Sequence, residues 1–222
     1  MDLKKVRAAE PVRVIRGRNV SKADVGFYRL DGMGVVAKDY RRRPFLIRQT
    51  VGRFFTRREA AAYRAAAGIP GIPEFLGRVG PCALTMRWIE GTPLSALAGS
   101  HIEPAFFDRA ASILEALHDR GIALGDLHHR DMLVAPDGSP WLVDFAMAWV
   151  AGQNAGWLRR SVFRRFQELD RVALARMRAR FTGEDETATV LATAGPSAAA
   201  MHSRGRRIKR LWDRLRGRSS PR

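Results

Sequence analysis

The stretch from Gly125 to Ala146 constrains this chain more than any other. It runs Gly125-Asp126-Leu127-His128-His129-Arg130-Asp131-Met132-Leu133-Val134, then Pro136-Asp137-Gly138, then Trp141-Leu142-Val143-Asp144-Phe145-Ala146. Two short apolar runs flank a Pro-Asp-Gly turn, which is the pattern of a β-hairpin. Asp126 and Asp131 precede the first strand and Asp144 ends the second, so the hairpin is expected to gather three carboxylates at one end of a small sheet. Converging acids repel one another unless a cation sits among them, and all-oxygen donors favour Mg²⁺. Acids on a metal, with one more left to orient an attacking hydroxyl, are the parts of a phosphoryl-transfer site.

The rest of the chain must be able to house such a site. With 222 residues, 46% of them hydrophobic, it can build one sizeable core or two small lobes around a cleft. A single cysteine, Cys82, excludes an internal disulfide framework and a multi-cysteine zinc site, which suits a reducing cytoplasm. No run of about eighteen apolar residues occurs, so no spanning helix is expected. The N-terminus carries Asp2 and Glu10 without an apolar segment, unlike a secretory signal.

The net charge of +17 is unevenly spread. Residues 1–80 hold 18 Lys/Arg against 7 acids, residues 81–156 hold 4 against 9, and residues 157–222 hold 17 against 6. The acidic hairpin thus lies between two basic arms, which implies attraction to a polyanion: nucleic acid, an anionic bilayer or a phosphorylated substrate.

Periodicity predicts short strands at Val12–Ile15, Phe27–Leu30 and Gly34–Lys38, then an Ala-rich helix from Arg57 to Ala67 ended by Gly68-Ile69-Pro70-Gly71-Ile72-Pro73. Strands at Phe75–Val79 and Ala83–Trp88 follow, then a connector, Glu90-Gly91-Thr92-Pro93. A helix opens at Pro104, the hairpin occupies 121–146, and a long helix is expected from Trp157 to Arg180. Thr182–Ala200 is Thr/Ala/Gly-rich and reads as a flexible linker.

The hairpin residues resemble the protein-kinase superfamily, in the Gly-Asp form of RIO-like and lipopolysaccharide-core sugar kinases. The match is to a catalytic loop Asp-Leu-x-x-x-x-Asn followed by Asp-Phe-Gly. His129-Arg130-Asp131 spells the kinase His-Arg-Asp triplet, but that frame would put Pro136, which has no side-chain oxygen, at the metal position. The resemblance implies a compact two-lobed α+β fold, with an N-lobe antiparallel sheet plus one helix at 1–89 and a small, mostly helical C-lobe at 90–181. A flexible linker at 182–203 and a basic amphipathic tail at 204–222 would complete the chain.

The same resemblance implies the site residues. Asp126 would be the base, His128 would stand where kinases place a phosphate-contacting lysine, and Asp131 and Asp144 would hold Mg²⁺. Lys38, in Val36-Ala37-Lys38, would grip the α- and β-phosphates of ATP, held in place by Glu59. The loop Arg18–Val25 lacks the family's glycines; Ser21 and Lys22 either substitute with side chains or are solvent-exposed turn residues. Backbone groups of Arg87 and Ile89 would meet the adenine, with Leu133 beneath it. Asp131 replaces the family's usual Asn and Ala146 the Gly of Asp-Phe-Gly.

The implied function is ATP-dependent phosphoryl transfer to a hydroxyl. The acceptor is expected to be a lipopolysaccharide-core sugar or another membrane-associated molecule. A RIO-like serine/threonine protein kinase and a non-catalytic membrane- or RNA-binding pseudokinase are the alternatives. Arg204–Arg218 holds eight Lys/Arg around Ile208, Leu211, Trp212 and Leu215, a basic amphipathic pattern suited either to an anionic inner-leaflet surface or to packing on the C-lobe. A cytoplasmic protein, peripheral at the inner membrane face, is the expected location.

Overall fold

The computed structural model describes residues 5–151 and 156–193. After a short helix α1 (Lys5–Ala8), strands β1 (Arg13–Ile15), β2 (Asp24–Leu30) and β3 (Met33–Asp39) form an antiparallel meander. Asp31 and Gly32, both at positive φ (50° and 77°), make the two-residue turn between β2 and β3, the geometry that matches strand twist. Period-two alternation in β3 buries Val35 and Ala37 against Leu30, Val79 and Ala83 on one face. Val36 and Lys38 therefore point to the other.

On that second face packs the last part of one continuous helical rod. The rod comprises α2 (Phe45–Ile47), a π-helical turn (Arg48–Gly52) and α3 (Arg53–Ala65). α3 buries Thr56, Glu59, Ala60, Ala62 and Tyr63, the alanines allowing close approach. Strands β4 (Phe75–Arg78) and β5 (Ala83–Arg87) complete a five-stranded antiparallel sheet of order β1-β2-β3-β5-β4.

The chain then passes through β6 (Thr92–Pro93) and a 3₁₀ turn into α4 (Pro104–Asp119), whose first-turn proline needs no amide partner. β7 (Ile122–Ala123), β8 (Met132–Val134), β9 (Pro140–Leu142) and β10 (Trp149–Val150) follow. β8 pairs with both β6 and β9, whereas β10 returns to β7. The last long helix, α5 (Trp157–Thr182), is closed by Gly183 in the left-handed region at φ 79°. Leu114 and Leu117 of α4, Met132, Leu142, Phe145, and Leu174 and Met177 of α5 share one core with Tyr63 and Met86. The protein is thus a mixed α+β structure, as expected. Among the described residues no helix is long and apolar enough to cross a membrane.

Two expectations need correction. The sheet is accompanied by more than one helix, because α1, α2 and the π turn precede α3. The stretch read as flexible linker from 182 is ordered at its start: residues 186–193 are helical, with Val190 buried against Val172 and Ala175 of α5 and Glu186 paired to Arg176 at 3.0 Å. Composition pointed to a linker there, but a small-residue helix needs only one apolar anchor and a charge pair to lie on a neighbour. The expected tail at 204–222 lies outside the described residues.

Candidate active site

Because Lys38 faces α3, its ammonium meets Glu59 of that helix, with Nζ 2.5 Å from Oε1. The same nitrogen lies 2.9 Å from Oδ1 of Asp144, just after β9. Burial alone would pull the ammonium down, but Asp144 and Glu59 outweigh it and hold its pKa well above lysine's usual range. Burial pushes the Glu59 carboxyl up despite Lys38, whereas in Asp144 the lysine overcomes burial and the pKa falls. Asp144 also accepts the Ala146 amide at 3.0 Å.

The hairpin end is fixed from two sides. Tyr63 of α3 donates its hydroxyl to the Val143 carbonyl at 2.9 Å and packs on the Phe145 ring at 4.5 Å. Arg58, one residue before Glu59, donates to the carbonyls of Met147 and Ala148, both at 3.0 Å. α3 therefore carries the lysine's partner and also clamps the segment bearing Asp144.

Asp131 neighbours Asp144 electrostatically. Burial, then the Asp144 charge, raises its carboxyl from 3.8 to about 6, although the His128 amide donates to it at 3.2 Å. Asp126 lies apart: its Oδ1 is 3.2 Å from His128 Nε2, with both side chains more than half exposed. The expected convergence of three acids is accordingly reduced to a pair. Among the described residues no group of three or more His, Cys, Asp or Glu side chains is placed to hold a metal ion. The cause is local: Asp126 sits in the loop ahead of β8, five residues from Asp131, and turns to solvent.

Behind this loop stands Asp170 of α5, 1% exposed. Its carboxylate accepts the amides of Leu124 and Gly125, both at 2.7 Å, and lies 3.1 Å from His118 Nε2 of α4. Sequence patterning assigned Asp170 no role. An acid on the apolar face of an amphipathic helix was the available signal, since a buried carboxylate requires partners.

A cavity of about 180 Å³ is lined by Ser21, Lys22, Lys38, Glu59, Asp144 and Met147. The β1–β2 loop reaches it because Asp24 gathers the loop base, accepting the Gly17 amide at 3.0 Å, Arg16 at 2.8 Å and the Arg43 guanidinium. Gly17 is needed there, since a Cβ would stand 2.5 Å from the Lys22 carbonyl oxygen. A wider groove of about 790 Å³ runs from Asp126 and His128 along α5 to Arg176 and Arg180. Asp144 lines the first space and Asp126 the second.

The expected adenine contacts are only partly available. The Arg87 amide already donates to the Glu74 carbonyl at 2.8 Å, and the Trp88 amide to Gly34 at 3.0 Å. β5 is paired on both edges, so Arg87 has no free amide for a ligand. Ile89 follows in irregular backbone and is half-buried, as is Leu133 in β8.

Chemically, the arrangement offers a buried cation between two acids, a third acid, Asp131, whose pKa burial and the Asp144 charge raise, and an exposed carboxylate at the mouth of a groove. No protein-family model and no curated protein matches this chain.

Proposed function

We propose that this chain is an ATP- and Mg²⁺-dependent phosphotransferase with a hydroxyl acceptor, built as a two-lobed kinase-like enzyme. The observation that carries this is Lys38 bound at once to Glu59 and Asp144, with Asp131 beside Asp144. A lysine held this way is a fixed positive charge facing a cavity, suited to the α- and β-phosphates.

Asp131 and Asp144 fit a Mg²⁺ ion. Burial, and after it the Asp144 charge, raises Asp131 to about 6, and the repulsive part of that shift is what a divalent cation would relieve. Two carboxylates are enough, because Mg²⁺ keeps waters and takes the remaining oxygens from phosphate. When bound, it would neutralise charge on the transferring phosphoryl group.

Asp126 orients the acceptor hydroxyl from the groove side, with His128 Nε2 standing 3.2 Å from its Oδ1. Asp170 holds the loop that carries both through the Leu124 and Gly125 amides. Arg58 holds the segment after Asp144. The groove past Asp126 is lined by Arg176, which is paired with Glu186, and by Arg180, a basic group suited to an acceptor bearing negative charge, such as a phosphorylated or lipid-linked sugar.

The test is transfer of label from γ-labelled ATP with Mg²⁺ to a lipopolysaccharide extract, with protein substrates in parallel. Label in the glycolipid, lost in Asp126→Asn and Asp144→Asn, supports the proposal. Label only in protein moves the acceptor to serine or threonine. No transfer to either, with nucleotide still bound, overturns it.

A further inference from the structure

From Tyr40 to Arg58 the chain carries seven arginines and no acid. In the structure this stretch is the rod formed by α2, the π-helical turn and the start of α3, together with the loop leading into it. Large apolar side chains stand in solvent along it: Phe45 is 65% exposed, Leu46 73% and Phe54 58%. Leu46 and Phe54 are eight residues apart, where two turns of pure α-helix take about 7.2. The wider π turn takes up the surplus, so the two return to one side.

Basic side chains surround them. Arg48 lies over the Phe45 ring at 5.6 Å, and Arg53 donates to Gln49 at 2.9 Å. Arg42, Arg53 and Arg57 are exposed and have no acidic partner among the described residues.

We propose that this α2–α3 shoulder is a docking face for an anionic lipid bilayer. Exposed Phe and Leu side chains ringed by arginine match both layers of such a surface, with the rings entering the acyl boundary and the guanidiniums remaining on the headgroups. Other occupants fit worse. The chain's own segment 204–222 is itself strongly basic, so it is repelled by the exposed Arg42, Arg53 and Arg57, and a second copy of the shoulder is repelled likewise. Nucleic acid would satisfy the arginines and leave Leu46 and Phe45 in water. The face also adjoins the site: Tyr40 and Phe55, within the same stretch, line the cavity that holds Lys38 and Asp144. Docking there would bring the cavity to the membrane plane. The inference is independent of the kinase proposal, because it is read by binding alone.

The experiment is co-sedimentation of the full chain with vesicles of phosphatidylglycerol and phosphatidylethanolamine, against vesicles of phosphatidylcholine, with single-stranded RNA binding measured in parallel. Binding to the anionic vesicles is expected, weakening as salt rises because the Debye length falls from about 10 Å at 0.1 M to about 3 Å at 1 M. The triple variant Phe45→Ser/Leu46→Ser/Phe54→Ser is expected to lower vesicle partitioning at least tenfold without moving the urea midpoint downward, since its side chains are exposed. Arg42→Glu/Arg57→Glu, which keeps the apolar residues, is expected to lower it as strongly. Unchanged partitioning in both variants overturns the proposal and places any membrane contact elsewhere, including the tail. RNA binding that both variants abolish, with no wild-type vesicle binding, overturns it in favour of a nucleic-acid face.

Discussion

Lys38 Nζ lies 2.9 Å from Oδ1 of Asp144, although 106 residues separate the two in the chain. The same ammonium lies 2.5 Å from Glu59, so one cation of 13% exposure serves two acids, one of them 4% exposed and the other 41%. Removing the cation strands the buried acid. Lys38→Met is therefore expected to lower stability by about 3 kcal/mol, the usual cost of orphaning one member of a buried pair. Glu59→Gln is expected to cost less. The double variant should be no less stable than Lys38→Met alone, because the stranded charge is gone with its partner. Urea midpoints of the four proteins check this, and simple additivity would mean that the two side chains do not act as a pair.

Asp131 predicts a pH dependence in metal-free buffer. Its folded pKa of about 6 lies above the ordinary 3.8, so the folded state resists losing this proton. Stability from this group is full below about pH 4, falls as pH rises through about 6, and stays lower beyond. At about 1.4 kcal/mol per pKa unit the penalty at pH 7.5 is up to about 3 kcal/mol. Asp131→Asn, which cannot ionise, is expected to be more stable than wild type at pH 7.5, with the gap closing toward pH 4.5. Mg²⁺ should raise the wild-type melting temperature at pH 7.5 and raise that of the variant less. Thermal melts across pH, with and without the ion, measure both.

Asp170 predicts a loop effect separable from the chemistry. Asp170→Asn keeps the shape but exchanges a charged acceptor of two amides for a neutral group that can accept through one oxygen only. A loss of about 1.5–3 kcal/mol is expected, the range for hydrogen bonds to charged groups. Hydrogen exchange at the amides of Leu124 and Gly125 should accelerate while those of β2 and β3 stay protected. Equal acceleration in both regions would make Asp170 a general fold residue.

Arg58 holds two carbonyls rather than an acid. Arg58→Ala is expected to free Met147 and Ala148, lowering turnover about tenfold with little change in nucleotide affinity, because Lys38 and Glu59 stay in place. Arg58→Lys, a single point charge without the fork, should recover only part of it. Turnover and nucleotide affinity, measured separately, decide.

What the sequence disclosed depended on whether a residue's partner leaves a mark in residue type. Lys38 and Glu59 were paired in advance only through the kinase resemblance, since on residue type alone each could be an ordinary surface group, and the structure brings them together. The strands of the main sheet were legible within a few residues because short apolar runs bounded by Gly-containing turns mark them. The Asp24 cage around Gly17 was invisible, as was Asp170's grip on Leu124, because backbone amides are common to every residue. Arg41-Arg42-Arg43-Pro44 reads as a loop, and the π turn after it breaks the helical period, so the rod ahead of α3 did not register. Strands β6, β7 and β10 have two residues each, too short for any alternation.

The grip of Asp170 on the Asp126 loop also sets an order in time. The two amides it holds, Leu124 and Gly125, are translated 46 and 45 residues before the carboxylate that receives them. The whole five-stranded sheet, which ends at Arg87, is also synthesised before that carboxylate. The loop stays loose until α5 emerges and folds back. A chain cut before α5 therefore lacks the carboxylate that receives these two amides.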